Sequence, residues 1–264
     1  MPDITGVKVL VYHWVDHNPG ERLRAWGLTP DAFVAQMTAL ADGGYQILPL
    51  GEVLQIVRGE RPSSPKAVAL TFDDGYRGLL DHVLPVLNRL GFRATFFLVS
   101  DRVGGTNSWD ARHGDPPRLL MGWSEAAALA EQGMEIGSHS RTHPFLTNLS
   151  EPELEKEIRG SKELIEDRIG RPVRSFSYPH GLHDSRCRRL VASAGYSGAC
   201  TTRFGGNRPG TDPFQLHRSE ITYHDSAWSF SFKVRTGFGI RAWAAATAGE
   251  LLPRFIAGPR GVPS

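Results

Sequence analysis

Short runs of β-branched and aromatic residues alternate along the chain with longer amphipathic stretches, the pattern of parallel strands joined by helices. Strands are predicted at VKVLVY (7–12), YQILPL (45–50), KAVALTF (66–72), RATFFLV (93–99), MEIGSHS (134–140), VRSFSY (173–178), GYSGACT (195–201) and FQLHRSEI (214–221). The stretches between them carry helix punctuation. Thr29 is placed to cap a helix that opens with Pro30, and Gly43, Gly91, Gly133 and Gly195 stand where helices should stop. Ser150 opens a charged helix running to the neighbourhood of Arg168. Eight strand-helix units in about 220 residues predict an α/β fold, a barrel more than an open sheet, because no dinucleotide fingerprint marks a switch point. Gly237-Phe238-Gly239-Ile240-Arg241-Ala242 fits GxGxxA, but it stands at the chain's end without a βαβ unit or a spaced acid and is read as a chance match. The segment from Gly104 to Gly122, with Trp109, Asp110, His113 and two prolines, has no periodicity and is long for a connection, which points to function or disorder.

Composition narrows the class without naming a partner. The 264 residues, 40% hydrophobic and 22% charged, fit one globular domain, with a core over about 7–235 and a helical tail at 236–264. Thirty basic against 28 acidic side chains leave a formal charge of +2, so nothing points to nucleic acid or an anionic membrane. Cys187 and Cys200 form no CxxC pattern and read as small buried residues. The first apolar run is interrupted by His13 and ends at Asp16, unlike a signal peptide. The most apolar stretch, Gly239 to Gly258, carries Arg241, Glu250 and Arg254 and does not suit a bilayer. A soluble, cytoplasmic protein is expected, and the Asn148-Leu149-Ser150 triplet is read as accidental.

Two strand ends concentrate the chemistry. KAVALTF runs into Asp73-Asp74-Gly75, so two adjacent carboxylates arrive where barrels build their active sites. They suit either a cation or a solvated turn. MEIGSHS runs into His139 and His143, four residues apart, a spacing that on a helical turn or tight loop brings both rings to one side. The acidic pair and the histidine pair together favour a metal, with two His and one Asp leaving a position open for water as in catalytic zinc.

TFDDG with SHSRTH resembles the first two motifs of the polysaccharide deacetylases, the NodB-like carbohydrate esterases. VYHWV, LGFRATFFLV, SFSYPHG and LHRSEI extend the resemblance over roughly positions 7 to 235. It implies a distorted (β/α) barrel of about seven parallel strands, a single catalytic domain that hydrolyses N-acetyl groups on a carbohydrate, with a divalent metal, zinc foremost, held by Asp74, His139 and His143. It also implies Asp73 as general base and the backbone N–H of His180 as oxyanion donor. Two positions depart from the family pattern. Many relatives carry an arginine where this chain has Ser177, and Arg174 is too far along its strand to stand in, so Arg218 is expected to pair with Asp73. The family's late leucine-and-histidine motif has no clean match, leaving His13, His180, His217 and His224 as candidates for the acid that protonates the leaving amine. Trp109 and Tyr178 are placed to stack on sugar, with the core as the equal alternative for each, and Trp123 is expected to join the core. His17, His82, His113 and His183 are read as solvated or supporting residues. Two other readings remain: the same fold acting on another amide or a cyclic imide, and a carbohydrate-binding protein impaired in turnover.

Overall fold

The structure, a computed structural model, describes residues 4–247 apart from 19 and 22, so most of the predicted tail, 248–264, lies outside the described residues. Among the described residues ten strands are formed: β1 (Lys8–Tyr12), β2 (Trp14–Val15), β3 (Gly27–Leu28), β4 (Gln46–Leu48), β5 (Ala67–Phe72), β6 (Thr95–Leu98), β7 (Glu135–Ser138), β8 (Ser175–Ser177), β9 (Gly198–Cys200) and β10 (Ser219–Glu220). Each of the eight predicted runs contains one of them. The parallel pair β2–β3 was not anticipated, because two-residue strands carry no periodic signal.

Seven parallel strands in the order β10-β1-β5-β6-β7-β8-β9 curl into a half-barrel. The remaining member, β4, pairs with the start of β5 (Gln46↔Ala67), ahead of the point where β6 joins it (Thr71↔Thr95). Residues 214–220 span the gap between the edges: Leu216 bridges Cys200, and Ser219 pairs with Leu10.

Nine helices are described: α1 (Pro30–Asp42), α2 (Leu50–Val57), α3 (Gly78–His82), α4 (Leu84–Leu90), α5 (Trp123–Glu131), α6 (Glu151–Ile169), α7 (Ser185–Ser193), α8 (Ala227–Thr236) and α9 (Ile240–Thr247). The predicted caps are in place. The Thr29 hydroxyl accepts from Ala32 N, and Glu153 reaches back to Ser150 N to complete a capping box.

Strand periodicity divides the core in two. Leu10, Tyr12, Leu70, Phe72, Phe96 and Phe176 face the helices. Their alternates Val7, Val9, Ala67, Ala69, Phe97 and Cys200 fill the lumen together with Leu50, Val53, Leu54 and Val57 of α2. Helix α2 closes the lumen at the N-terminal ends of the strands. Its orphan N–H groups are met from β6 and β7, Leu50 N by the Thr95 hydroxyl (3.2 Å) and Gly51 N by Glu135 Oε2 (2.8 Å). A Cβ at Gly198 would come 2.2 Å from a Leu54 methyl, so the plug tolerates no larger residue there. The opposite mouth, at the C-terminal strand ends, is left to the loops.

Candidate active site

The same alternation selects which side chains crown the lumen. Ala67, Ala69 and Leu216 point inward, so Asp73 and Arg218, an even number of residues further on, continue their faces. The two groups meet in the interior. Arg218 Nη1 and Nη2 donate to Asp73 Oδ1 and Oδ2, both at 2.8 Å, and Arg218 is 1% exposed. Its Nε donates to Thr201 O (2.9 Å), Nη1 to the Thr71 hydroxyl (3.3 Å) and Nη2 to the Ser177 hydroxyl (2.9 Å), which itself donates to Asp73 Oδ2 (3.2 Å). Burial alone would raise the Asp73 carboxyl, but the Arg218 guanidinium, helped by His139, holds it well below the usual carboxylate range. Asp73 is therefore held as an anion at neutral pH, with both oxygens fixed.

Asp74 is turned away from that pair by its backbone. Among the described residues, the non-glycine residues with positive φ are Asp74 (70°), Ser140 (65°), His143 (65°) and His180 (58°), all on the loops at this mouth. Such backbone costs on the order of 1–3 kcal/mol each and persists where the surroundings over-determine it. The 139–143 segment is over-determined from α6. Glu157 accepts from Arg141 N (2.8 Å), Thr142 N (2.9 Å) and the Thr142 hydroxyl (2.8 Å), while the Ser140 hydroxyl accepts from His143 N (3.1 Å). The HxxxH spacing thus works on a tight loop.

His139 Nε2 and His143 Nε2 each lie 3.5 Å from Asp74 Oδ1, and one ligand atom from each of the three residues falls within 4.8 Å of the others. Hydrogen bonding of His139 Nδ1 to Ser177 O (2.7 Å) makes Nδ1 the donor and leaves the Nε2 lone pair for the site. Burial lowers both imidazole pKa values, keeping the rings neutral, whereas burial and then Asp73 and Asp110 raise the Asp74 carboxyl. Asp74 Oδ1 is buried without a hydrogen-bond partner. One uncompensated carboxylate oxygen between two neutral imidazoles fits a divalent cation.

The remaining expectations separate. His13 lies among Asp73, Arg218, His139 and His180, with Nδ1 buried and unpartnered. The His180 ring packs edge-on to His143 (4.5 Å) and flat on Phe145 (4.1 Å). Trp109 stacks on His143 at 4.7 Å and is partly exposed. His217 is turned to Gly206 O, His224 is exposed against Tyr223, and Arg174 is exposed. Trp123 joins the core. Tyr178 corrects the expectation of sugar stacking: it follows Phe176 on the helix-facing side, is fully buried and donates its hydroxyl to Phe214 O (3.2 Å). Alternation from Phe176 could have revealed this in the sequence. Tyr76 and Asn107, whose Nδ2 donates to the Tyr76 hydroxyl (3.4 Å), escaped notice because neither stands in a chemical pattern.

Residues 60–199 match the family model described as polysaccharide deacetylase. The chain belongs to the polysaccharide deacetylase family. It is 27% identical over 214 residues to YxkH of Bacillus subtilis, covering 81% of this chain and 71% of that protein. It is 29% identical over 141 residues to the peptidoglycan-N-acetylglucosamine deacetylase of Bacillus cereus, covering 53% of this chain but only 58% of that enzyme. The crystal structure of a polysaccharide deacetylase from Bacillus cereus superimposes with a TM-score of 0.72 at 26% identity, over 87% of this chain and 69% of that one. This deacetylase is accordingly a hydrolase of N-acetyl amide bonds on carbohydrate. Its family match contains Asp73, Asp74, His139, His143 and His180 but stops short of His13 and Arg218, which folding alone brings to the site.

Proposed function

We propose that this deacetylase cleaves the N-acetyl group of a carbohydrate with a divalent metal, zinc by its donor set, held by Asp74, His139 and His143, and with Asp73 as general base. The observation that carries the reading is the unlike treatment of two adjacent carboxylates. Asp73 is neutralised by Arg218, while Asp74 Oδ1 faces two neutral imidazoles with no partner. When bound, the metal supplies Lewis acidity, lowering the pKa of a water and polarising the acetyl carbonyl.

The protein's own groups do the rest. Asp73 is a weak base, since Arg218 stabilises its anion, and it suits only a water already made acidic. Its Oδ2, on the side of His139 Nε2 (3.9 Å), takes that proton, and Arg218 and Ser177 fix its direction. The His180 N–H, in a left-handed turn, is assigned to the developing oxyanion. His13, inward on the alternation of Val7 and Val9, is assigned to protonate the leaving amine. Trp109, beside His143, is assigned to the sugar ring.

Metal content and acetate release from chitin oligomers test this together. Wild type should hold about one divalent ion and His139→Ala and His143→Ala should lose it, whereas Asp73→Asn should keep it and lose about 10²- to 10⁴-fold in rate. Full metal in both histidine variants, or an Asp73→Asn effect below about threefold, overturns the assignment.

A further inference from the structure

The turn that carries the assigned oxyanion donor is held in a backbone conformation that one of its residues disfavours. His180 (φ 58°) and Gly181 (φ 68°) are both left-handed. Gly181 suits that region, and a Cβ there would come 2.1 Å from Thr202 Oγ1, so the turn is packed close on that side. At 180 a glycine would be unstrained, yet the position carries an imidazole. Two hydrogen bonds close the turn, Gly181 N to Tyr178 O (2.8 Å) and Leu182 N to Pro179 O (3.2 Å).

The His180 ring is where the loop after β7 reaches this turn. Phe145 lies flat on it, with centroids 4.1 Å and planes 14° apart, and His143 meets it edge-on at 4.5 Å. Phe145 is half-buried and belongs to neither core cluster, so packing of the interior does not account for it. It is nevertheless fixed in place. The next residue, Leu146, is fully buried in the core, and Phe145 O accepts from Asn148 N (3.0 Å). An aromatic ring on an anchored loop thus covers the side chain of the strained residue.

We propose that Phe145 is a positioning residue for the oxyanion donor: its ring, flat on the His180 imidazole, holds the left-handed turn and so fixes the direction of the His180 N–H. The inference rests on the assignment of that N–H above and adds Phe145 to it. With Tyr178 buried and Gly181 packed against Thr202, any relaxation of φ at His180 must be compensated at ψ of Pro179. The planar peptide unit between the two, which carries the N–H, then tilts. An oxyanion donor acts only within hydrogen-bond reach of the developing charge, so the tilt is felt in the rate. A stacked ring pair is worth roughly 2- to 10-fold in the equilibrium between the held and the relaxed turn.

The test reads the turn and the chemistry separately on the full chain. Amide hydrogen exchange at Gly181 and Leu182 should quicken about 2- to 10-fold in Phe145→Ala. Acetate release from chitin oligomers by the same variant should lose about tenfold in kcat, short of the roughly 10²- to 10³-fold that a whole donor costs, with KM and metal content unchanged. Phe145→Tyr, which keeps the flat face, should restore both. In a His180→Gly background, which keeps the N–H and removes the imidazole, Phe145→Ala should add nothing, because its partner is gone. Unchanged exchange in Phe145→Ala overturns the role of Phe145. Quickened exchange with wild-type kcat overturns the oxyanion assignment, and the proposal with it, which separates the two claims. A raised KM with kcat unchanged, or an equal loss in the His180→Gly background, shows Phe145 acting on the sugar and not through His180, and overturns the proposal. If Phe145→Ala does not fold, Phe145→Leu, which keeps apolar bulk without a flat face, decides in its place by the same outcomes.

Discussion

Arg218→Lys keeps a positive charge at a buried position and removes the planar fork that matches a carboxylate. Arg218 donates five hydrogen bonds, two to Asp73 and one each to Thr71, Ser177 and Thr201 O. An ammonium has three donors at a single point, so at least two of these are lost and the Asp73 oxygens cannot both be held. At about 1.5–3 kcal/mol for a hydrogen bond to a charged group, loss of one Asp73 contact together with the poorer aim of the base corresponds to roughly a 100-fold fall in kcat. The metal should be retained, because no hydrogen bond links Arg218 to Asp74, His139 or His143 among those described. Steady-state kinetics on an N-acetylated oligosaccharide, with metal content in parallel, measure both, and a rate within about threefold of wild type with the metal bound would refute the positioning role.

Arg218→Met extends the test to stability. Removing one partner of a buried pair costs on the order of 3–5 kcal/mol. In the wild type the depressed Asp73 carboxyl contributes stability that is present above its unfolded pKa and lost as pH falls through the folded value. In Arg218→Met, burial without the guanidinium raises that carboxyl, so the sign reverses and stability is lost as pH rises through the carboxylate range. The melting-temperature gap between variant and wild type should therefore narrow in acid, and a gap that widens there would contradict this account.

His13→Ala should lower kcat by about 10²-fold or more with metal retained, whereas His217→Ala, turned to Gly206 O, should stay within about threefold; the reverse ranking would make His217 the acid. Trp109→Ala should raise KM about tenfold by loss of a stacking face. Tyr178→Phe should leave KM unchanged and cost about 1 kcal/mol in thermal unfolding, and an altered KM in Tyr178→Phe would return that ring to the substrate site.

The candidate metal cluster was legible in the sequence because the relation of its parts is local. Asp73 and Asp74 are neighbours, His139 and His143 share one tight loop, and both motifs end strands whose hydrophobic runs are unambiguous. Helix ends at Thr29 and Ser150 were legible for the same reason, since a cap involves three or four consecutive residues. Alternation along FQLHRSEI also dictated that His217 and Arg218 could not both face inward. Which of them does so was decided only by tertiary structure: Leu216 beside Cys200 sets the phase of that segment, and Arg218 then meets Asp73 across 145 residues of chain. A charge pair of such sequence separation leaves no local pattern, because its partners are chosen by sheet order and lumen geometry. The same holds for Asn107 and Tyr76, where the selecting physics is the satisfaction of buried polar groups, a property of the assembled interior and not of any window of sequence.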